Sequence, residues 1–134
     1  MTERAHAQGT IEVKTYQPTT YDEHSAAPAL VEIHVAEEFS GDVVGSGKVR
    51  FLQASRSDDS ASFCGIERVV GTLAGRAGSF LLQDCGTLQG NQVSGNWFVV
   101  PRSASGQLAG LRGEGGFEAR LGRNATWTLA YWFE

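Results

Sequence analysis

GQLAGLRGEGGF, residues 106–117, is the stretch that decides the fold prediction, because glycine recurs in it at short and uneven spacing. The glycines stand at 106, 110, 113, 115 and 116, with leucines at 108 and 111 between them. Glycine accepts the positive φ that a tight turn requires, and glycine within a strand is typical of a bulge or a sharp bend. The segment therefore predicts a compact turn that leads into a strand closing a curved sheet.

The rest of the chain shows apolar and polar residues in alternation, with turn residues between the segments and no long helical periodicity. We predict eight strands, at 9–16, 30–43, 46–56, 60–72, 77–88, 92–102, 114–122 and 125–133. Eight strands joined by hairpins fit an all-β fold, an eight-stranded antiparallel up-and-down β-barrel, which has no open sheet edge. A short helical turn is expected at 104–111. Residues 1–8 are expected to form a disordered or extended tail before a single barrel domain at 9–134.

Composition limits the classes of partner. The chain has 134 residues and a net charge of −4, which argues against nucleic acid and anionic membranes, since both attract clustered Lys and Arg. No apolar run approaches the ~20 residues that span a bilayer. The N-terminal segment lacks the apolar stretch of a signal peptide, so we expect a cytoplasmic protein with reduced cysteines.

The one long connection predicted between strands is 16–29, YQPTTYDEHSAAPA. Loops of this length are often lids or binding loops. We therefore expect either a lid that contributes Tyr21, Asp22 or Glu23 to a ligand, or a surface excursion that covers one end of the barrel.

Two predicted hairpin turns fix the register in the middle of the chain. A two-residue turn at 74–75 places Glu67 opposite Leu82, and one at 90–91 places Asp84 opposite Trp97. Because side chains alternate along a strand, one face of the sheet is then largely apolar and is expected to line the lumen. That face carries Phe63, Gly65, Glu67, Val69, Phe80, Leu82, Asp84, Trp97 and Val99.

Glu67 and Asp84 are diagonal neighbours on this face, within roughly 5–8 Å of each other. Two carboxyls in an apolar cavity have pKa values that move apart, and one of them stays protonated near neutrality. Such a pair suits general acid/base catalysis. The alternative is a structural carboxylate, with Glu67 paired to an arginine.

The same register sets Cys64 opposite Cys85, at a position where strands approach closely enough for a disulfide. Two reduced thiols are the interpretation that fits a cytoplasmic protein. The three histidines are scattered, at 6, 24 and 34, and no zinc-ligand spacing or nucleotide-binding glycine motif is present. We therefore expect neither a metal nor a cofactor.

The last predicted strand, 125–133, is apolar on both faces. Trp127, Leu129 and Tyr131 fall on the inner side, and Trp132 falls on the outer side. A subunit interface would cover Trp132, and a homodimer is the commonest arrangement. We expect a homodimer or a higher homo-oligomer, with a single exposed tryptophan as the alternative.

Several segments together resemble a bacterial family of uncharacterised barrel proteins that is related in fold to allene oxide cyclase. They are Tyr21 to Glu23, Phe39 to Asp42, Ser62 to Thr72, Gly75 to Gln83 and Gly106 to Phe117. The last is also similar to the glycine-spaced segment of allene oxide cyclase and dirigent proteins. The resemblance implies a calycin-like, often oligomeric barrel, in which relatives often carry histidine where this chain has Asp84.

Related barrels cyclise or isomerise unsaturated, oxygenated substrates largely by holding them in a reactive conformer. By analogy we expect a cofactor-independent cyclase or isomerase that acts on a small apolar or polyketide-like molecule. Glu67 would be the acid/base, assisted by Asp84 or Tyr21. A binding protein for an unaltered apolar ligand and a filled barrel that only oligomerises are the alternatives. The side chains expected to line the pocket are Phe63, Phe80, Leu82, Trp97, Val99 and Tyr131.

Overall fold

A computed structural model describes residues 3–120 and 124–134, and within these ranges the chain forms nine β-strands and no helix. No helix in this part of the chain is therefore long and apolar enough to cross a membrane. The strands are β1 (Ala5–Asp22), β2 (Ala29–Gly41), β3 (Val43–Ser55), β4 (Ser60–Leu73), β5 (Arg76–Gln89), β6 (Gln92–Val99), β7 (Ser105–Gly106), β8 (Leu111–Arg120) and β9 (Ala125–Phe133).

Eight of these strands close into an antiparallel barrel. The sheet runs in the order β4-β3-β2-β1-β9-β8-β6-β5, and β5 pairs back to β4. The two-residue strand β7 adds a short pairing to β5. The predicted all-β fold and its eight-stranded antiparallel barrel are confirmed.

The two predicted hairpin turns are present, and so are the registers that they set. Ala74 and Gly75 both have positive φ, 49° and 83°, as a type I′ turn requires, and Leu73 pairs with Arg76. At the second turn Gln89 pairs with Gln92. The face predicted to line the lumen is the inner face of the barrel, since its apolar members are buried.

The predicted long connection at 16–29 is wrong. Strand β1 continues to Asp22 and pairs with β2 as far as Leu30, so only residues 23–28 connect the two strands. The continuation of the strand beyond residue 16 was not predicted, because Pro18 cannot donate a backbone hydrogen bond to a neighbouring strand. Pro18 is tolerated because it lies where β1 has a neighbour on one side only. Among the described residues, β1 pairs with β9 only up to Ile11 and with β2 alone beyond that point.

The helical turn predicted at 104–111 is also replaced by other structure. Residues 105–106 form β7, and tight turns follow in which the Leu111 amide donates to the Leu108 carbonyl at 2.9 Å. Gly106 and Gly110 have φ values of 66° and 87°. The glycine-rich segment thus forms the predicted turn and leads into β8, the strand that completes the barrel between β6 and β9.

The predicted tail at residues 1–8 is in part a strand. Strand β1 begins at Ala5, so residues 5–8 of the predicted tail pair with β9, and Ala7 is buried. Residues 1–2 of that tail lie outside the described residues. The same holds for 121–122, the end of the strand predicted at 114–122.

Aromatic rings pack against one another across the lumen. The ring centroid of Phe39 lies 6.2 Å from that of Trp97 and 6.0 Å from that of Trp127. Phe117 lies 5.2 Å from Trp97 and occupies the space in which a side chain at Gly95 would stand. Inner-face glycines therefore make room for large rings on neighbouring strands.

Trp132, predicted to pack in a subunit interface, is covered by two arginines of its own chain. The guanidinium carbons of Arg4 and Arg112 lie 4.5 Å and 5.8 Å from its ring centroid. These cation–π contacts cover part of the outward tryptophan within its own chain.

We predict that Gly95→Ala lowers the free energy of unfolding by about 1–3 kcal/mol, because the new methyl group collides with the Phe117 ring. This loss exceeds the roughly 0.4–1 kcal/mol that alanine gains through the unfolded chain. Urea denaturation measures it. Ser94→Ala, on the exposed outer face, is the control, and Phe117→Leu should relieve the loss in the double variant. An unchanged midpoint for Gly95→Ala would contradict this packing.

Candidate functional site: a buried carboxyl cluster

Glu67 is the most deeply buried charged residue of the barrel. It lies on β4 between Val49 of β3 and Leu82 of β5, with no exposed surface. Neither of its carboxyl oxygens, Oε1 or Oε2, has a hydrogen-bond partner. Leaving such a group unpaired costs about 1–3 kcal/mol, so the fold retains Glu67 at the expense of its stability.

Gly47 is the residue that makes room for this carboxyl group. It lies on β3 with its missing side chain directed inward, and a Cβ built there would overlap Oε2 of Glu67. The same Cβ would lie 2.9 Å from the Phe39 ring. The Glu67 carboxyl thus fills a space that a glycine on the neighbouring strand leaves open.

Asp84 is the second predicted carboxyl, and it lies on the same inner face. It pairs with Gly65 on one side and with Trp97 on the other, and only 1% of its surface is exposed. Its Oδ1 has no hydrogen-bond partner. The predicted neighbourhood of Glu67 and Asp84 is therefore present, with an aromatic wall beside it.

Glu37 is a third inward carboxyl, which the sequence prediction missed. It lies on β2, directly opposite Gly47 of β3, and shares the inner face with Val35 and Phe39. The alternation of Ile33, Val35 and Phe39 was the signal that could have found it. Glu37 is partly buried, whereas Glu67 and Asp84 are fully buried.

Burial raises the pKa of all three carboxyls, and neighbouring carboxyls add to the rise for Glu67 and Asp84. Burial raises the pKa of Glu67 well above its ordinary value, and the Glu37 side chain and the charge of Asp84 add to it. Burial, then the charge of Glu37, raises the pKa of Asp84 to about 8. Burial raises the pKa of Glu37 too, although its interaction with Glu67 opposes the rise. A carboxyl that stays protonated near neutrality is the result.

The structural alternative, an ion pair between Glu67 and an arginine, is not formed. Arg68 points to the exposed outer face, and within the described residues no basic side chain lies within ion-pair distance of Glu67, Asp84 or Glu37. The lack of counter-ions among the described residues favours the protonated form of these carboxyls. Protonated and ionised carboxyls side by side can give and take a proton at one place.

Five of the six predicted pocket residues are buried on the inner face around the cluster, and the sixth, Tyr131, is partly buried. Tyr21 is different, because it lies near the end of β1 and 51% of its surface is exposed. It lines an outer groove of about 530 Å³ together with Leu52 and Cys64. The structure does not bring Tyr21 to the carboxyls. The five buried pocket residues are Phe63, Phe80, Leu82, Trp97 and Val99.

A wider groove of about 990 Å³ crosses the outer face of the sheet from β1 to β5. Outward side chains such as Gln83, Asn96, Phe98 and Glu114 line most of it. Trp97, the neighbour of Asp84, is among the few inner-face residues that reach it. Neither Glu67 nor Asp84 is among the residues that line this groove.

Cys64 and Cys85 form a disulfide, which corrects the expectation of two reduced thiols. Both are exposed on the outer face, and they pair as the predicted register requires. The bond links β4 to β5 at the position next to the Gly65–Asp84 pair. It therefore holds the two strands together where Asp84 enters the lumen.

Within residues 3–120 and 124–134, no group of three or more His, Cys, Asp or Glu side chains is arranged to hold a metal ion. The three carboxyls converge closely enough to alter one another's pKa but do not form a ligand set.

The chain is similar to a family of known sequences and to a solved structure of that family. The sequence model of the family described as "Protein of unknown function (DUF3224)" matches residues 7–131. A crystal structure of a DUF3224 protein of unknown function from Shewanella oneidensis MR-1 is 29% identical and superposes with a TM-score of 0.83. The match covers 98% of this chain and 99% of that one. No curated protein matches the chain.

The raised pKa of Asp84 predicts that the protein loses stability as pH rises. The contribution of Asp84 to the free energy of unfolding is largest below the ordinary carboxyl pKa, where the folded and the unfolded state are both protonated. This contribution decreases at higher pH and is lost as pH rises through about 8. One such proton contributes a limiting slope of about 1.4 kcal/mol per pH unit. In urea denaturation between about pH 5 and pH 9, the free energy of unfolding should fall less steeply with pH in Asp84→Asn than in the wild type. The difference in slope should be at most that of one proton.

Glu118→Gln is the control for this titration, since it removes an exposed carboxylate of the outer face. It should leave the slope unchanged. Equal slopes for the wild type and Asp84→Asn would contradict the buried, protonated carboxyl.

Proposed function

This chain belongs to the DUF3224 family of proteins of unknown function, and from that premise we propose that it is a cofactor-independent cyclase or isomerase. The substrate would be a small apolar or polyketide-like molecule bound in the barrel lumen. The observation that carries the proposal is the burial of Glu67 and Asp84 with three oxygens that have no hydrogen-bond partner.

Unpartnered buried oxygens are the kind of feature that a bound molecule would complete. A purely structural core gains more from an apolar side chain than from a buried carboxyl with no partner. A substrate that carries a carbonyl, hydroxyl or ether oxygen would accept a hydrogen bond from a protonated carboxyl. Strongly perturbed carboxyls in an apolar site are accordingly candidates for catalysis.

The acid/base roles follow from which carboxyls hold a proton. Glu67, the most deeply buried, would donate its proton to a substrate oxygen, where negative charge develops during enolisation or ring closure. Asp84 in its ionised form would accept a proton from the adjacent carbon. Proton transfer by a positioned carboxyl contributes about 10²–10⁴-fold to a rate.

The aromatic wall would shape the substrate. Phe39, Trp97 and Trp127 line the lumen next to the carboxyls and contact one another. A substrate therefore enters only if these rings move apart, and it is then held between flat apolar surfaces. Such confinement favours a folded, reactive conformer of an unsaturated chain, as proposed for barrels similar to allene oxide cyclase.

A second candidate function is the binding of a small apolar ligand that stays chemically unaltered. The aromatic packing favours it, because aromatic rings and a few hydrogen-bond donors are the usual lining of such sites. Barrels of eight strands have an interior of a size that holds one small molecule. The two candidates differ in whether the ligand changes.

We also propose a homodimer or higher homo-oligomer, which the exposed apolar side chains Leu52, Ile66 and Phe98 of the outer face support. The cytoplasmic localisation stays a prediction. The Cys64–Cys85 disulfide counts against it, because disulfides persist mainly in oxidising compartments.

We predict that the protein isomerises small β,γ-unsaturated ketones to conjugated ketones, followed by the ultraviolet absorbance of the product. Glu67→Gln should keep the fold, since neutral glutamate and glutamine have nearly the same shape, and should lower turnover by about 10²–10⁴-fold. Glu38→Gln, next to Glu37 but exposed, is the matched control and should keep full turnover.

The neutral fluorophore N-phenyl-1-naphthylamine separates the two candidates. Saturable binding without turnover of any ketone would favour the binding protein. Equal turnover in the wild type and Glu67→Gln would remove Glu67 from the mechanism, and neither binding nor turnover would contradict both candidates.

A further inference from the structure

We propose that Glu37 is the residue through which the buried carboxyls exchange protons with solvent. This inference rests on the proposed function, because it assigns a role to a third carboxyl of the same site. A buried carboxyl that is in the wrong proton state for the reaction must exchange a proton with solvent before it can act. Neither Glu67 nor Asp84 has the solvent contact to do so, since they are 0% and 1% exposed.

Glu37 and Glu67 meet over a single glycine. They lie on β2 and β4, on either side of β3, and their side chains interact next to Gly47. Gly47 pairs directly with Glu37, and its missing side chain leaves the space that the Glu67 carboxyl occupies. A glycine at this position of β3 is therefore what allows the two carboxyls to interact.

Glu37 is the member of the cluster that solvent reaches. It is partly buried, and it lies opposite Val13, where β1 shifts its register and 46% of Val13 is exposed. A register shift interrupts the ladder of hydrogen bonds and bends the strand. The barrel wall is thus irregular next to Glu37 and regular next to Glu67 and Asp84, whose strands pair without interruption.

The charged groups around Glu37 allow it to change its proton state. Those that face it are Glu67 of β4 and Asp84 of β5, both carboxyls. Lys14 of β1 pairs with Glu12 and Glu38 on the outer face. Tyr16 of β1 lies opposite Val35 rather than Glu37, and 55% of its surface is exposed. Burial raises the pKa of Glu37, which brings its titration closer to neutrality.

The proton path then has two steps. When the two side chains move into hydrogen-bond contact, the O–H of protonated Glu67 gives its proton to an ionised oxygen of Glu37, so that Glu67 becomes the carboxylate and Glu37 the acid. Glu37 gives the proton to water and returns to its carboxylate form. The reverse sequence reloads Glu67, and no electron pair or other group is transferred.

Deuterium exchange of the buried carboxyl, followed by infrared spectroscopy, tests this path. The C=O stretch of a protonated carboxyl shifts on transfer to D₂O, and the part of the band that Glu67→Gln removes belongs to Glu67. In Glu37→Gln we expect this shift to slow by about tenfold or more, toward the rate set by opening of the barrel. In Glu38→Gln, the exposed neighbour, the rate should match the wild type.

A second measurement keeps the inference testable if Glu37→Gln fails to fold. In the wild type, the Glu67 carboxyl should exchange much faster than the Glu67 backbone amide, which exchanges only when the strands open. Equal carboxyl and amide rates in the wild type, or an unchanged carboxyl rate in folded Glu37→Gln, would overturn the inference.

Failure of the proposed function gives a different pattern. The wild type would then turn over no ketone, while its carboxyl exchange would still depend on Glu37. Turnover that depends on Glu67, with exchange that does not depend on Glu37, would instead remove this inference alone.

Discussion

Burial of carboxyl groups without counter-ions is the constraint on which the interior of this barrel depends. Three such groups, Glu37, Glu67 and Asp84, share the inner face, and the deepest two leave three oxygens unpartnered. The apolar interior favours their protonated form, since an ionised carboxyl without a counter-ion is costly to bury. The proton state of the cluster therefore contributes both to stability and to any chemistry in the lumen.

Glycines on the inner face make this arrangement possible. Gly47 admits the Glu67 carboxyl, and Gly95 and Gly86 admit the rings of Phe117 and Phe63. Each glycine weakens its strand, because it adds entropy to the unfolded chain and packs no side chain. The outer disulfide between β4 and β5 offsets part of this weakness next to Asp84, because a cross-link restricts the unfolded chain.

The two-residue turns at 74–75 and 90–91 explain how far the sequence could predict the site. They fix every pairing from Glu67 to Trp97, so the inner face and the neighbourhood of Glu67 and Asp84 followed from counting residues. Glu37 was missed because no two-residue turn joins β2 to β3. The sequence therefore did not fix the register of these strands, which places Glu37 opposite Gly47. Pro18 concealed the last third of β1, residues 17–22. The oxidation state of two facing cysteines depends on their environment as well as their spacing.

Carbon-13 NMR of protein labelled at the glutamate and aspartate carboxyl carbons tests the central claim most directly. Titration should show the Asp84 carboxyl still protonated near neutrality, with a midpoint near 8, and Glu67 protonated well above the usual glutamate range. If both carboxyls instead titrated with the exposed ones, near pH 4, the interior would hold ionised groups with partners that this structure does not show. The cluster would then have no proton to give, and the account of the site would be wrong.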